Sequence, residues 1–171
     1  MKFVADPNLG KLAKWLRVLG FDTTYYRSAD KLGLIQLAQS EERLILTRDR
    51  WIRQKAESQR DLKCCFIHDD RLADQLDQII KMVEMAGSAE TQTGERGSPI
   101  WKPFSRCIEC NLELNDLSKE SVEGKVPDFV FSRNQRFSQC PRCGKIFWNG
   151  THSKDMMERI RTRLDELETQ H

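Results

Sequence analysis

The order of apolar runs predicts an α/β fold, a parallel sheet with helices on both faces. A small four-cysteine ribbon and a terminal helix follow it. Three observations carry this. Strand-like and helix-like runs alternate four times through the first half of the chain. The connections between them are tight, as in one compact domain. The second half holds two knuckles of identical spacing, Cys107-Ile108-Glu109-Cys110 and Cys140-Pro141-Arg142-Cys143.

Lys2 to Ala5 is a short apolar run ending in Asp6. Leu9 to Leu19 has helical periodicity and Gly20 stops it. On a helical wheel Leu9, Leu12, Trp15, Leu16 and Leu19 share one arc, and Lys11, Lys14 and Arg17 the opposite one. Phe21 to Tyr26, rich in Thr and Tyr, reads as the second strand. Ala29 to Glu42 is the second helix, with Leu32, Ile35, Leu37 and Ala38 as its buried side. Arg43 to Thr47 is the third strand and Trp51 to Gln59 a polar third helix. Leu62 to Ile67 is the fourth strand, with Cys64 and Cys65 as small core residues. Arg71 to Met85 is the fourth helix, carrying Leu72, Leu76, Ile79, Ile80 and Val83 at helical spacing.

Gly87 to Ser98 is Gly, Ser, Thr, Glu and Gln with nothing to bury, and reads as a linker. The expected division is therefore an α/β domain over 1–86, a linker over 87–104, a ribbon over 105–150 and a helix over 151–171. Each C-x-x-C turn grips one side of a tetrahedral zinc, so Cys107, Cys110, Cys140 and Cys143 read as four ligands of a structural zinc. The region between them is short of large aliphatic residues, and a metal supplies the missing stability. The 29 residues from Asn111 to Gln139 exceed the usual spacing; the polar stretch Asn115 to Lys125 is expected to loop out. The terminal helix carries Met156, Met157, Ile160, Leu164 and Leu167 on one side.

The 171 residues allow one medium domain or two small ones. No apolar run reaches the roughly 20 residues needed to span a bilayer, and no signal peptide is evident at Met1. The cysteines are then expected to be zinc ligands and reduced thiols in a cytoplasmic protein. A net charge of +2 does not declare a nucleic-acid partner by itself. Its distribution says more: no acid lies between Asp128 and Asp155, where Arg133, Arg136, Arg142, Lys145 and Lys154 alternate with Phe129, Phe131, Phe137, Phe147 and Trp148. Such a stretch suits phosphates and unpaired bases, or equally a solvated face over an aromatic core.

Ligands of an open parallel sheet bind at the carboxyl ends of its strands. Here Asp6, Asp49 and the pair Asp69-Asp70 follow strands, and Asp30 lies in the loop after the second. Grouped carboxylates repel unless a cation sits among them, and hard oxygen donors favour Mg²⁺ or Mn²⁺. Such a site suits phosphodiester hydrolysis. Each acid also has a plainer role: Asp30, Asp49 and one of Asp69 and Asp70 are placed to cap helices. Lys11, Lys14 and Arg17 could steer a phosphate backbone toward the acids, or be merely solvated. Four thiolates saturate a structural zinc, so His152 is left to face the acids or to take no part.

Together these residues resemble a known family, the PIN-like ribonuclease domains named after the C-terminal domain of the Mut-seven exonuclease. The resemblance is carried by Phe3-Val4-Ala5-Asp6, by Leu9 to Gly20, and by Leu46-Thr47-Arg48-Asp49-Arg50. It continues through Ser105-Arg106-Cys107 to Cys110-Asn111, Val126-Pro127, Cys140 to Lys145 and Trp148-Asn149-Gly150-Thr151-His152. It implies a PIN-like domain with an appended zinc ribbon that cleaves RNA with divalent metal. By that pattern Asp6, Asp30 and Asp49 form the acidic site, with Asp69 or Asp70 as the later acid. Many such domains place a glutamate on a helix where this chain has Asp30, so Glu41 and Glu42 stand as alternatives. Arg48 and Arg50 flank Asp49 and are candidates for phosphate.

The expected function is a metal-dependent ribonuclease with a preference for single strands, Arg133 and Arg136 of the ribbon helping to hold RNA. Two alternatives stand beside it. One is a non-catalytic RNA- or DNA-binding zinc-ribbon adaptor. The other is a subunit that docks a protein through its terminal helix.

Overall fold

The computed structural model describes residues 1–90 and 102–148, with Glu158 and Thr162. It divides into two compact units, Met1–Asn111 and Leu112–His171.

In the first unit, strands β1 (Lys2–Ala5), β2 (Asp22–Tyr25), β3 (Leu44–Thr47) and β4 (Cys64–Phe66) alternate with helices α1 (Gly10–Val18), α2 (Lys31–Ser40), α3 (Arg50–Ser58) and α4 (Leu72–Glu90). The sheet is parallel throughout, in the order β2-β1-β3-β4. The chain steps from β1 to β2 on one side and then returns to place β3 on the other. The direction of winding therefore reverses between β1 and β3, which opens a crevice at their carboxyl ends.

Alternation along the strands builds two faces. Val4 and Ile45 pack with Leu34, Ile35 and Ala38 of α2, Ile52 of α3 and Leu62. Phe3 points the other way, edge-on to Phe21 with ring centroids 5.6 Å apart. On α1, Leu12, Ala13 and Leu16 are buried, and α1 packs against α4.

Some expectations are corrected. Arg17 does not share an exposed arc with Lys11 and Lys14; it is buried. Leu32 is exposed, because Leu34 takes the buried position in α2. Helix α4 continues to Glu90, into the stretch expected as linker. Cys64 and Cys65 are half-buried on an edge strand, where burial pushes the Cys64 thiol up to about 11, with a smaller push from Cys65.

The second unit has an antiparallel sheet, β5 (Asn115–Leu117), β6 (Phe137–Gln139) and β7 (Ile146–Trp148), in that order, and a short helix α5 (Asp128–Arg133). Its core is Val122, Val126, Val130 and Phe137, with Leu117, Phe131 and Ile146 against it. The stretch Asn115 to Lys125 does not loop out: it supplies β5 and the fully buried Val122. The terminal-helix stripe, His152 and most of the expected linker lie outside the described residues.

Candidate active site and metal centre

The crevice between β1 and β3 holds Asp6. Its strand is wholly buried from Phe3 onward, and Asp6 itself is only 1% exposed. One carboxylate oxygen accepts the Asn8 N–H at 2.8 Å. The other accepts the Thr47 hydroxyl at 2.5 Å and the Arg48 N–H at 3.0 Å. Thr47 in turn accepts the Asp49 N–H at 2.9 Å, so one hydroxyl links the Asp6 carboxylate to the Asp49 backbone. Asp49 caps α3, accepting from Trp51 N at 2.8 Å and Ile52 N at 3.2 Å. Its outer oxygen pairs with Lys31 Nζ at 2.5 Å. The Lys31 hydrogen bond, then the two backbone donors, hold the Asp49 carboxyl below its ordinary range despite some burial.

Asp30 is exposed and caps α2 through Leu32 N at 3.0 Å. Gly33 makes room for it: a Cβ there would lie 2.5 Å from an Asp30 carboxylate oxygen and 2.3 Å from the Tyr26 hydroxyl. Asp70 pairs with Arg48, and the Asp69 carbonyl accepts from the Gln75 side chain at 2.8 Å. Glu41 and Glu42 follow α2 and precede β3, at the amino edge of the sheet, where Glu41 pairs with Arg43. That position removes both as alternatives for the second acid. Among the described residues, Asp6, Asp30 and Asp49 are not gathered into one close group in the way the four cysteines are. What the fold brings together is Asp6 and Asp49 through Thr47, with Lys31 on Asp49.

The basic candidates separate. Lys11, Lys14 and Arg50 are exposed, and Lys14 lies 3.8 Å from Glu109. In the second unit Arg133 and Arg136 are exposed, as are Phe129 at 65% and Trp148 at 39%. Arg17 instead donates to the carbonyls of Thr23, Ile108 and Glu109. Burial lowers its pKa, opposed by Glu109 and by the thiols of Cys107 and Cys110. It is withdrawn as an RNA contact.

The Sγ atoms of Cys107, Cys110, Cys140 and Cys143 all lie within 4.8 Å of one another. Zn–S bonds of about 2.3 Å in a tetrahedron set sulfurs about 3.8 Å apart, inside that limit, and four soft thiolates suit zinc. The two knuckles close alike. Asn111 (φ 64°) donates its N–H to Cys107 O at 2.9 Å, and Gly144 (φ 70°) to Cys140 O at 3.0 Å. The Cys110 N–H also points at Cys107 Sγ, 3.4 Å away.

Residues 1–160 match the model of the Mut7-C RNAse domain. The chain belongs to the Mut7-C RNAse domain family. That is a nuclease-type family, as its name states. No curated protein and no solved structure matches the chain. The match runs through both units, so sheet and cysteine knuckles alike belong to the Mut7-C RNAse pattern.

Sequence reasoning missed Thr47, Lys31 and Asn111. Thr47 read as the last residue of a strand and a member of the motif around Asp49, with no role of its own, and Lys31 stands 18 positions from the acid it pairs with. Only the strand order β1-β3 and the entry of α2 beside it bring these groups together. Asn111 carried a signal: it occupies the position after its knuckle that Gly144 occupies after the other.

Proposed function

We propose that the chain hydrolyses RNA phosphodiester bonds with a divalent cation held by Asp6 and Asp49. The observation that supports this best is the buried Asp6 at the crevice where the winding reverses, joined to Asp49 by Thr47. Both acids are held from behind by N–H groups, and each keeps acceptor capacity on hard oxygen. Mg²⁺ commonly uses one or two carboxylates and completes its shell with water and substrate phosphate, so two acids suffice. Such an ion would supply an activated water and stabilise charge on the phosphoryl oxygens. Asp30 and Asp69 are candidates for waters around it.

Lys31, Arg48 and Arg50 supply positive charge for the substrate phosphate, and Lys11 and Lys14 a wider field that draws in the strand. In the second unit, exposed Phe129 and Trp148 offer stacking faces and Arg133 and Arg136 phosphate contacts, which favours single-stranded RNA. Zinc on the four cysteines has no open position and acts structurally.

The test is labelled single-stranded RNA incubated with the purified protein and Mg²⁺ or Mn²⁺. Cleavage is expected, stopped by EDTA and absent in Asp49→Asn, which still binds RNA. Salt-sensitive binding without cleavage in either ion would instead favour the non-catalytic adaptor.

A further inference from the structure

Arg17 is a buried cation on a helix face otherwise made of Leu12, Ala13 and Leu16. At 8% exposure its donors and its charge both need partners. Nε donates to Thr23 O at 2.8 Å, and Nη1 donates to Ile108 O at 2.8 Å and Glu109 O at 3.0 Å. Ile108 and Glu109 are the two residues between Cys107 and Cys110. The fork therefore reaches β2 with one nitrogen and the backbone of the first knuckle with another, which a lysine's single ammonium cannot reproduce.

The far end of the same loop is tied as well. Asn111 Oδ1 accepts the Thr23 N–H at 2.9 Å, and its Nδ2 donates to Asp22 at 2.7 Å. Arg106 donates to Gly20 O at 3.1 Å and to Asn111 O at 2.8 Å. All of these bonds lie inside the first unit, and none requires a metal.

We propose that Arg17 and Asn111 are positioning residues of the metal centre, which hold the first knuckle ready to ligate and set a positive charge beside its thiolates. Four thiolates around Zn²⁺ carry a net charge of two minus, so a buried guanidinium nearby favours the assembled centre. A loop already in its ligating shape also avoids most of the ordering cost of binding. Partners behind metal ligands commonly change affinity by about 10–100-fold. This rests on the reading of the four cysteines as a zinc site.

The experiment is Co²⁺ titration of the full chain, followed by its thiolate-to-metal absorption, and zinc release to a chromogenic chelator. The native protein should take one tetrahedral ion; its failure to do so would sink the zinc reading itself. Arg17→Gln and Asn111→Gly are each expected to weaken Co²⁺ binding by about tenfold or more and to speed zinc release. Asn111→Gly keeps the left-handed backbone and removes only the ties, so it decides the matter if Arg17→Gln does not fold. Lys11→Gln should leave both readouts unchanged. Folded variants with cobalt affinity and zinc release within twofold of native overturn the proposal.

Discussion

At Asp6 both carboxylate oxygens already accept hydrogen bonds, from Asn8, Thr47 and Arg48. An amide in its place turns an NH₂ toward at least one of those donors in a buried site. Asp6→Asn is therefore expected to cost about 1–3 kcal/mol as well as abolish cleavage. Asp49→Asn keeps an oxygen for Trp51 and Ile52 and loses only a partly exposed pair, worth about 0–1 kcal/mol. Thermal melts beside activity assays should show both variants inactive and Asp6→Asn alone clearly less stable. Lys31 competes with any cation for Asp49 and also offers charge to a phosphate. Lys31→Ala should lower the Mg²⁺ concentration giving half-maximal cleavage while reducing the maximal rate by about tenfold or more, read from metal titrations of activity. Asp22 answers to pH. Burial pushes its carboxyl up, but hydrogen bonds from Arg43 and Asn111 and the charges of Arg43 and Arg106 outweigh that and hold it below its ordinary value. Its contribution is thus complete above the unfolded value of about 4 and disappears as pH falls through the folded one. The melting-temperature gap between native protein and Asp22→Asn should be open at pH 7 and close progressively below pH 4.

The helix α1 ends on Gly20, at φ 91°. A Cβ there would lie 2.2 Å from Lys102 O and 2.7 Å from its carbonyl carbon, a backbone contact that a side-chain shift cannot relieve. Gly20→Ala carries the left-handed penalty of about 1–2 kcal/mol and this clash in addition. A loss of at least that size in denaturant melts is expected, and an unchanged midpoint would mean that segment 102–105 does not pack there. Gly20 shows how far the sequence could be read. Its role as a helix stop was visible, as were the eight elements of the α/β unit to within a few residues, because apolar periodicity and short connections are local properties. Lys102 lies 82 positions away, and nothing local announces it. Arg17 failed for the same reason. Its place on a helical wheel says solvent, yet the backbone of 108–109 covers that side of α1. The stretch Asn115 to Lys125 looked like surplus because it is polar, but Val122 enters the core and Leu117 of β5 packs against it. The acids were legible as strand ends, while which of them meet was set by strand order.

Across the whole chain the two units differ in what burial can do for them. The first has a four-stranded sheet with a large apolar core between its layers. The described part of the second, 112–148, buries only Val122, Val126, Val130, Phe137 and Cys140. So small a core leaves much of the stability to be supplied by a metal or a disulfide, and no disulfide joins the cysteines of the described residues. Metal binding should then be most of the folding free energy of this unit. The knuckles also differ. Cys107–Cys110 is tied by side chains from the first unit, Arg17, Asn111 and Arg106, while around Cys140–Cys143 the described ties include the Cys140, Gly144 and Lys145 backbone bonds and Gln139 to Gly144 O at 2.9 Å. Removal of zinc by a strong chelator should therefore act unevenly. Hydrogen exchange is expected to rise across β5, α5, β6 and β7, with Gly144 losing protection early. Asn111 and the sheet of the first unit should keep most of theirs. Limited proteolysis of the metal-free protein should cut within 112–148 and spare 1–90. Equal protection of 112–148 with and without zinc, in protein shown by metal analysis to be stripped, would mean that the small apolar core suffices.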